Sequence, residues 1–168
     1  MMLSFGLLEF AWDGRWFDGI LARPGFPERT ASRRLYFLIL SSTATSTLAL
    51  PVAAYVDLLL PFTGVFLYNV GISAPLVLLQ ATFNRTAIDL SRSSFFNYQG
   101  VSVRQSLIIL VLLLVPILLC VLAGELYGWI LSGVVGLLGM AALPMWIRLI
   151  RHRLESTKYA MAEGFRRR

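Results

Sequence analysis

The chain contains 168 residues, of which 57% are hydrophobic and 14% are charged, and its formal net charge is +6 at pH 7. This composition excludes an intrinsically disordered protein and argues against a water-soluble domain, in which roughly a quarter of the residues are charged. A single cysteine excludes a framework of internal disulfide bonds. We therefore predict an all-α polytopic membrane protein, with four transmembrane helices and an N-terminal interfacial amphipathic helix.

The N-terminal region, residues 1–34, is predicted to contain this interfacial helix over 3–21, followed by a cytoplasmic linker. Apolar and acidic side chains spaced four residues apart would occupy different faces of the helix: Leu8, Trp12 and Trp16 on one, and Glu9 and Asp13 on the other. An aromatic face opposite an acidic face suits the boundary between lipid and water. The alternative interpretation is a cytosolic helix that packs on the bundle.

Four apolar runs define a transmembrane domain over residues 35–150. Each is long enough to cross a hydrocarbon core of about 30 Å as a helix. The runs cover residues 35–56, 62–83, 106–123 and 126–150. None of them contains Lys, Arg, Asp or Glu before Arg148, at the end of the fourth run.

The positions of the basic residues predict the orientation of these spans. All 15 basic residues precede the first span, lie between the second and third, or occur from the end of the fourth onward. The two remaining connections carry only the acidic residues Asp57 and Glu125. By the positive-inside rule, both termini, the loop 84–105 and the basic tail 151–168 are cytoplasmic. Topology and contact with anionic membrane lipids explain the positive charge, so nucleic acid is not an expected partner.

Two sets of residues within the spans are unusual for an apolar helix. The side-chain amides of Asn69 and Gln80 cannot be satisfied within one helix, so they are candidates for a polar pathway through the bundle. Gly128, Ser132 and Gly136 recur at a spacing of four residues, which allows two helix backbones to approach closely. We interpret them as a packing face, within the bundle or against a partner chain.

Motifs for catalysis and cofactor binding are absent from the sequence. There is no Gly-rich phosphate-binding loop ending in Gly-Lys-Ser/Thr, so the chain is not expected to hydrolyse ATP by that route. His152 is the only histidine and lies between two arginines, which argues against both a zinc site and a catalytic triad. We therefore predict no enzyme activity, no cofactor and no metal.

The loop 84–105 is the stretch most suggestive of function, because it is longer than a simple turn and mixes aromatic, amide and charged side chains. It is either a solvated connection with interfacial anchors or a docking surface for a soluble partner. The docking hypothesis rests on nine residues: Asn84, Arg85, Ile88, Asp89, Ser91, Asn97, Tyr98, Gln99 and Gly100.

Motifs in this loop and near both termini resemble a bacterial family of uncharacterised integral membrane proteins that is grouped with ABC-2-type exporter permeases. The matching segments are Asn84-Arg85, residues 88–91, residues 97–100, the tail 158–166 and, near the start, Phe10, Trp12, Phe17 and Asp18. The resemblance implies a bacterial inner-membrane protein. It also implies that the chain corresponds to the C-terminal portion of a longer family member.

By analogy with ABC-2-type permeases, the resemblance further implies a permease-like subunit of an exporter. A separate ATPase would dock on the loop 84–105 and drive transport. Four spans are few for an enclosed route, so a second membrane chain or a homo-oligomer is expected as well. The alternative is a non-catalytic scaffold or assembly subunit of a membrane complex.

Overall fold

The computed structural model of the protein describes residues 6, 9–11, 13, 16–84 and 103–166. Of this described part, 87% is helical and none is in a β-strand, so the predicted all-α class is confirmed. Within the described ranges, six helices of five residues or more follow one another: α1 (Phe17–Leu21), α2 (Phe26–Tyr55), α3 (Leu59–Ala81), α4 (Val103–Ala123), α5 (Glu125–Ala141) and α6 (Leu143–Arg166).

The described N-terminal residues do not form the continuous helix expected over 3–21. Gly6 is helical, residues 9–11, 13 and 16 lie in turns, and the next described helix begins at Phe17. Phe10, which lies in these turns, and Phe17, the first residue of α1, are both buried against the rest of the protein at 1% exposure. The described residues of this segment therefore pack on the bundle, the placement that the alternative interpretation expected, with turns between Glu9 and Trp16.

Helix α2 begins nine residues before the apolar run that predicted it. Gly25 precedes the helix with φ of 69°, a left-handed conformation that favours glycine, and Pro27 lies in the first turn, where its missing N–H is not needed. At 30 residues the helix is about 45 Å long, which matches a bilayer including its headgroup layers. Its first two turns therefore extend from the apolar run into the polar layer.

Helix α3 contains a π-helical turn over Asn69–Ser73 and packs closely on α5. Glycines make the contact: Gly64 lies against the Trp129 backbone, and Gly71 lies against the Gly136 and Met140 backbones. Since residue numbers rise together on the two sides, α3 and α5 run in the same direction. The starts of both helices, and with them Asp57 and Glu125, lie at one end of the bundle.

The fourth predicted span, residues 126–150, is divided between two helices. Helix α5 ends at Ala141, α6 begins at Leu143, and the two axes are bent by 63°. Pro144 explains the break, because its ring nitrogen cannot donate the hydrogen bond that would continue α5 into α6. The residues after the bend extend to Arg166 as one helix, whereas the sequence analysis divided them between a span and a tail.

Two described helices, α2 and α3, are long and apolar enough to cross a membrane, and the bent pair α5–α6 becomes a third candidate if it is one span. The apolar part of α4, Leu107–Ala123, has 17 residues and falls short of the same length criterion. These helices are consistent with a membrane protein, but four spans are not confirmed.

The main described core lies where the N-terminal segment, α2, α3 and α6 meet. Its side chains are almost fully buried and include Phe10, Phe17, Leu35, Leu38, Leu78, Ile150, Leu154 and Met161. Helix α4 is different, because Leu110, Val111, Leu114 and most other large apolar side chains along it are exposed. An exposed apolar helix is expected to contact lipid or another membrane chain.

Candidate functional site

Two carboxylates of the N-terminal segment converge on one arginine of α2. The Nη1 atom of Arg34 donates a hydrogen bond to Oε1 of Glu9 at 2.5 Å, and Nη2 donates to Oδ2 of Asp13. The Glu9 side chain is only 3% exposed, whereas that of Arg34 is 27% exposed. Because a buried carboxylate is costly without a counter-charge, Arg34 is needed to hold this segment against α2.

Ion pairs also link this end of the protein to α6. Arg166 donates two hydrogen bonds to Asp18, from Nε at 3.0 Å and from Nη2 at 2.7 Å, and Arg151 donates to Glu28 at 3.0 Å. The Arg166 hydrogen bond lowers the pKa of Asp18 below its ordinary value, because it favours the ionised carboxylate. All four side chains are exposed enough to be screened by solvent, so these pairs orient the helices more than they stabilise them.

Asp13 has a different electrostatic environment. Partial burial raises the pKa of its carboxyl, and the positive charges of Arg34 and Arg23 oppose that increase. Desolvation is the larger effect. The guanidinium of Arg34 is therefore the group that allows this carboxylate to lie at the edge of the core.

Three aromatic rings lie beneath these ion pairs. Phe17 of α1 contacts Phe26 of α2 and Phe165 of α6 edge to face, with ring centroids 6.0 and 5.1 Å apart. Edge-to-face pairs at this distance contribute about 0.5–1.5 kcal/mol beyond their burial. The rings join three elements that are distant in sequence. The end of the protein formed by α1, the first turns of α2 and the C-terminal part of α6, which we call the arginine-rich end, therefore behaves as one packed unit.

A groove lined by arginines runs along the start of α2. It consists of two adjoining cavities of about 380 and 180 Å³, which share Ile20, Arg23, Thr30 and Arg33. The larger cavity also contacts Glu9, Arg34 and Phe37, and the smaller one contacts Pro24, Phe26 and Arg29. We call this feature the arginine groove. Its side chains offer guanidinium donors, one threonine hydroxyl and an apolar wall, and within the described residues no cluster of His, Cys, Asp or Glu could hold a metal ion.

Only the first residue of the predicted docking surface is described. Asn84 is buried at the end of α3, where its backbone N–H donates to the Ala81 carbonyl at 3.1 Å. The neighbouring Phe83 lies under the Arg153 guanidinium of α6, 4.5 Å from the ring centroid. The other eight residues of the surface, Arg85, Ile88, Asp89, Ser91, Asn97, Tyr98, Gln99 and Gly100, lie outside the described residues.

The two polar-pathway candidates are on the same helix but far apart. Asn69 and Gln80 are both half-buried on α3, separated by 11 positions or about 16 Å along the axis. Asn69 begins the π-helical turn, a feature that is frequent at functional sites. Ser73 ends that turn, and its hydroxyl is buried without a hydrogen-bond partner among the described residues. Ser73 was not among the predicted site residues, because one serine in an apolar run carries no signal of its own.

The three residues of the predicted packing face are all buried on α5, but they contact different neighbours. Gly128 lies against the backbone of Cys120 on α4, and Gly136 lies against that of Leu67 and Tyr68 on α3. The hydroxyl of Ser132, between them, donates to the Gly128 carbonyl at 2.8 Å within its own helix. The described contacts of this face are therefore inside the bundle.

The cluster of Arg34, Glu9 and Asp13 was also absent from the sequence-based candidates. A partial signal existed, since Glu9 and Asp13 lie four residues apart and were expected on one helix face. Two carboxylates that face the same way require a shared cation, but the sequence does not indicate which arginine supplies it. The pairing spans 21 and 25 residues and depends on how the turns fold.

A protein-family model matches residues 1–168 of the chain, and its description is that of a family of unknown function. No curated protein and no solved structure matches the chain. The comparisons thus support membership in an uncharacterised family. The grouping of that family with ABC-2-type permeases stays a prediction.

Proposed function

Because the chain belongs to DUF5687, a family of unknown function, membership assigns no activity, and we propose that it is a permease-like transmembrane subunit of an ABC-type exporter. In this proposal a separate ATPase docks on the loop 84–105 from the cytoplasm and supplies the energy. The chain itself performs no covalent chemistry and needs no cofactor. It lies in the inner membrane of a bacterium with both termini cytoplasmic.

The observation that carries the proposal is the anchoring of the start of this loop on α6. Asn84 is buried and Phe83 is covered by Arg153, so the chain leaves α3 in contact with the last helix. Helix α6 in turn packs on α2 and α3, and it is joined to α5 through the 63° bend. A partner that moved the loop would therefore act on α6 and, through it, on the membrane helices.

The directions of the helices support the proposed orientation. Helices α3 and α5 start at the same end of the bundle, whereas the ion pair between Glu28 and Arg151 lies at the other end. In the proposed topology the arginine-rich end faces the cytoplasm, as the positive-inside rule requires. Asp57 and Glu125 then face the periplasm, and the proposal counts four crossings, with α4 and α5 forming a hairpin.

The outer surface of the bundle supports the expected need for a second membrane chain. Large apolar side chains are exposed along α4, among them Leu113, Ile117 and Leu122. One set of four helices does not enclose a route, so a second copy or a different membrane subunit would complete it. The polar residues Asn69 and Gln80 on α3 are proposed to face that route.

Co-purification with a defined ATPase tests the proposal. The ATPase to use is a Walker-motif protein without membrane spans that is encoded beside this chain and co-expressed with it. We expect the two to co-elute in mild detergent, and Asp89→Ala to reduce recovery of the ATPase several-fold without changing membrane insertion. Asp57→Ala is the matched control, because it removes the same charge at the opposite end and should leave recovery unchanged.

Two results would contradict the exporter proposal. One is the absence of any such ATPase, or its failure to co-elute with the wild-type chain. The other is equal loss of the ATPase with Asp57→Ala, since docking would then not depend on the loop.

A scaffold or assembly subunit is the second candidate, favoured by the tight contact between α3 and α5. Gly71 and Gly136 bring the two backbones together, which leaves no room for side chains or substrate between these helices. A rigid pair suits a subunit that holds other chains in place. Stable co-elution with membrane proteins in the absence of an ATPase would favour this function over transport.

A further inference from the structure

We propose that the arginine groove binds the phosphate of an anionic phospholipid headgroup at the cytoplasmic face of the membrane. The inference goes beyond the exporter proposal and does not depend on it, because a bound lipid would serve a transporter and a scaffold alike. The shared chemistry is a phosphate anion, and a free phosphate is the competing source.

Charge is the first argument for this site. Arg23, Arg29 and Arg33 line the groove, and all three are exposed. Within the described part of the chain none of them forms a direct salt bridge, and Arg23 acts on the Asp13 carboxylate only at longer range. Glu9, the carboxylate that lines the groove, is already held by Arg34. The groove therefore presents three guanidinium groups to solvent. Planar guanidinium groups bind phosphate oxygens through paired hydrogen bonds, which suits this composition to a phosphate.

The backbone beneath the groove adds to the positive potential. Helix α2 starts at Phe26, and no side chain caps its first turn. Arg29 folds back over Gly25, so that its guanidinium lies near this helix end. The positive end of the helix dipole therefore lies beside these arginines, and Glu28, the acidic residue of the same turn, is paired with Arg151.

The position of the groove favours a lipid over a soluble anion. The groove occupies the first turns of α2, directly before the apolar run that starts at Leu35. Phe37 forms part of its wall and is 52% exposed, and the partly buried Ile20 lines it as well. A phospholipid presents a phosphate immediately above an acyl chain, which matches guanidinium groups above exposed apolar side chains. An inorganic phosphate would use the arginines alone.

The length of α2 also indicates that the groove lies at the depth of the lipid headgroups. If the apolar run from residue 35 onward fills the hydrocarbon core, residues 26–34 extend about 13 Å farther, through the headgroup layer. Arg29 and Arg33 are one helical turn apart and lie within that layer. The groove thus lies at the level where lipid phosphates occur.

Lipid binding by the purified full-length chain tests the proposal. The chain in mild detergent is titrated with phosphatidylglycerol or phosphatidylcholine, and native mass spectrometry gives the lipid-bound fraction. We expect phosphatidylglycerol to bind more tightly. Since one basic residue near anionic lipid contributes about 1 kcal/mol, Arg23→Gln and Arg33→Gln should each weaken its binding roughly five-fold.

Arg148→Gln is the matched control. Arg148 is also exposed and near the end of the membrane domain, but it does not line the groove. Its loss should leave phosphatidylglycerol binding unchanged. Arg23 and Arg33 are exposed as well, so their variants are expected to fold, and an unchanged thermal unfolding midpoint checks this.

Three outcomes would overturn the proposal. Equal weakening by Arg148→Gln would mean that binding reflects general positive charge. If both groove variants bound phosphatidylglycerol as tightly as the wild-type chain, the lipid would have to bind at another site. Displacement of the lipid by an equal concentration of inorganic phosphate would show that the groove recognises free phosphate. None of these outcomes involves the ATPase, so they are separable from failure of the exporter proposal.

Discussion

At the scale of single residues, Arg34 is the side chain on which the arginine-rich end depends most. It bonds to two carboxylates at once, and one of them, Glu9, is almost fully buried. Its neighbour Arg33 has the same charge but is exposed and lines the groove. Adjacent arginines with different environments allow a controlled comparison of a partly buried, ion-paired charge with an exposed one.

We expect Arg34→Gln to destabilise the protein by about 2–3 kcal/mol, because Glu9 would remain buried without a counter-charge. Arg33→Gln should change stability by less than about 0.5 kcal/mol, as is usual for exposed positions. Denaturant unfolding in mixed micelles measures both. The double variant with both Glu9→Gln and Arg34→Gln should recover part of the stability that Arg34→Gln loses. Equal stability of the two single variants would contradict the assigned role of Arg34.

The sequence predicted the chemistry at this end only in part. The spacing of Glu9 and Asp13 indicated a common face, and the clustered arginines indicated the cytoplasmic side. The partner of the carboxylates could not be predicted, because the pairing with Arg34 depends on turns that bring together residues 21 and 25 positions apart. Local periodicity carries no information about such a contact.

At the scale of helices, the sequence predicted type and approximate position well. The apolar runs 35–56 and 62–83 correspond to α2 and α3, because helix is the only structure that satisfies the backbone of such runs in lipid. The start of α2 was missed, since residues 26–34 are polar and join the helix through the Gly25 and Pro27 signals. The break before α6 was also missed, because the apolar composition continues through it.

Two glycines of α5 differ in how their replacement would affect the contact between α3 and α5. A Cβ at position 136 would overlap the backbone of Leu67 and Tyr68, and neither can move without separating the helices. A Cβ at position 133 would meet only the Leu67 side chain at 3.5 Å and Gly64 at 3.7 Å, which are ordinary contacts. The two glycines are one turn apart on the same helix, so they differ mainly in this respect.

Gly136→Ala is therefore expected to cost about 1–3 kcal/mol through overpacking. Gly133→Ala should be neutral or stabilising by up to about 1 kcal/mol, because alanine favours helix more than glycine does. Thermal unfolding of the two variants in detergent makes the comparison. If Gly133→Ala were the more damaging substitution, the helix register described above would be wrong.

The directions of the helices bear on how the protein as a whole crosses the membrane. The shared direction of α3 and α5 requires Asp57 and Glu125 to lie at the same end, opposite the end that carries Tyr159 and the ion pairs of α6. If the hairpin of α4 and α5 crosses together with α2 and α3, both acidic turns reach the periplasm. This is the four-span topology, and it is the arrangement that would expose the loop 84–105 to a cytoplasmic ATPase.

Labelling of single cysteines can test this topology in a background where Cys120, the only native cysteine, is replaced by alanine. We expect a membrane-impermeant maleimide to label Asp57→Cys and Glu125→Cys in intact cells. Tyr159→Cys, which is exposed on α6, should be labelled only after the cells are permeabilised. Protection of Glu125→Cys alone would mean that the α4–α5 hairpin does not cross. Labelling of Tyr159→Cys in intact cells would show that the protein has the opposite orientation. The basis for cytoplasmic docking would then be lost, because the arginine-rich end would face away from any ATPase.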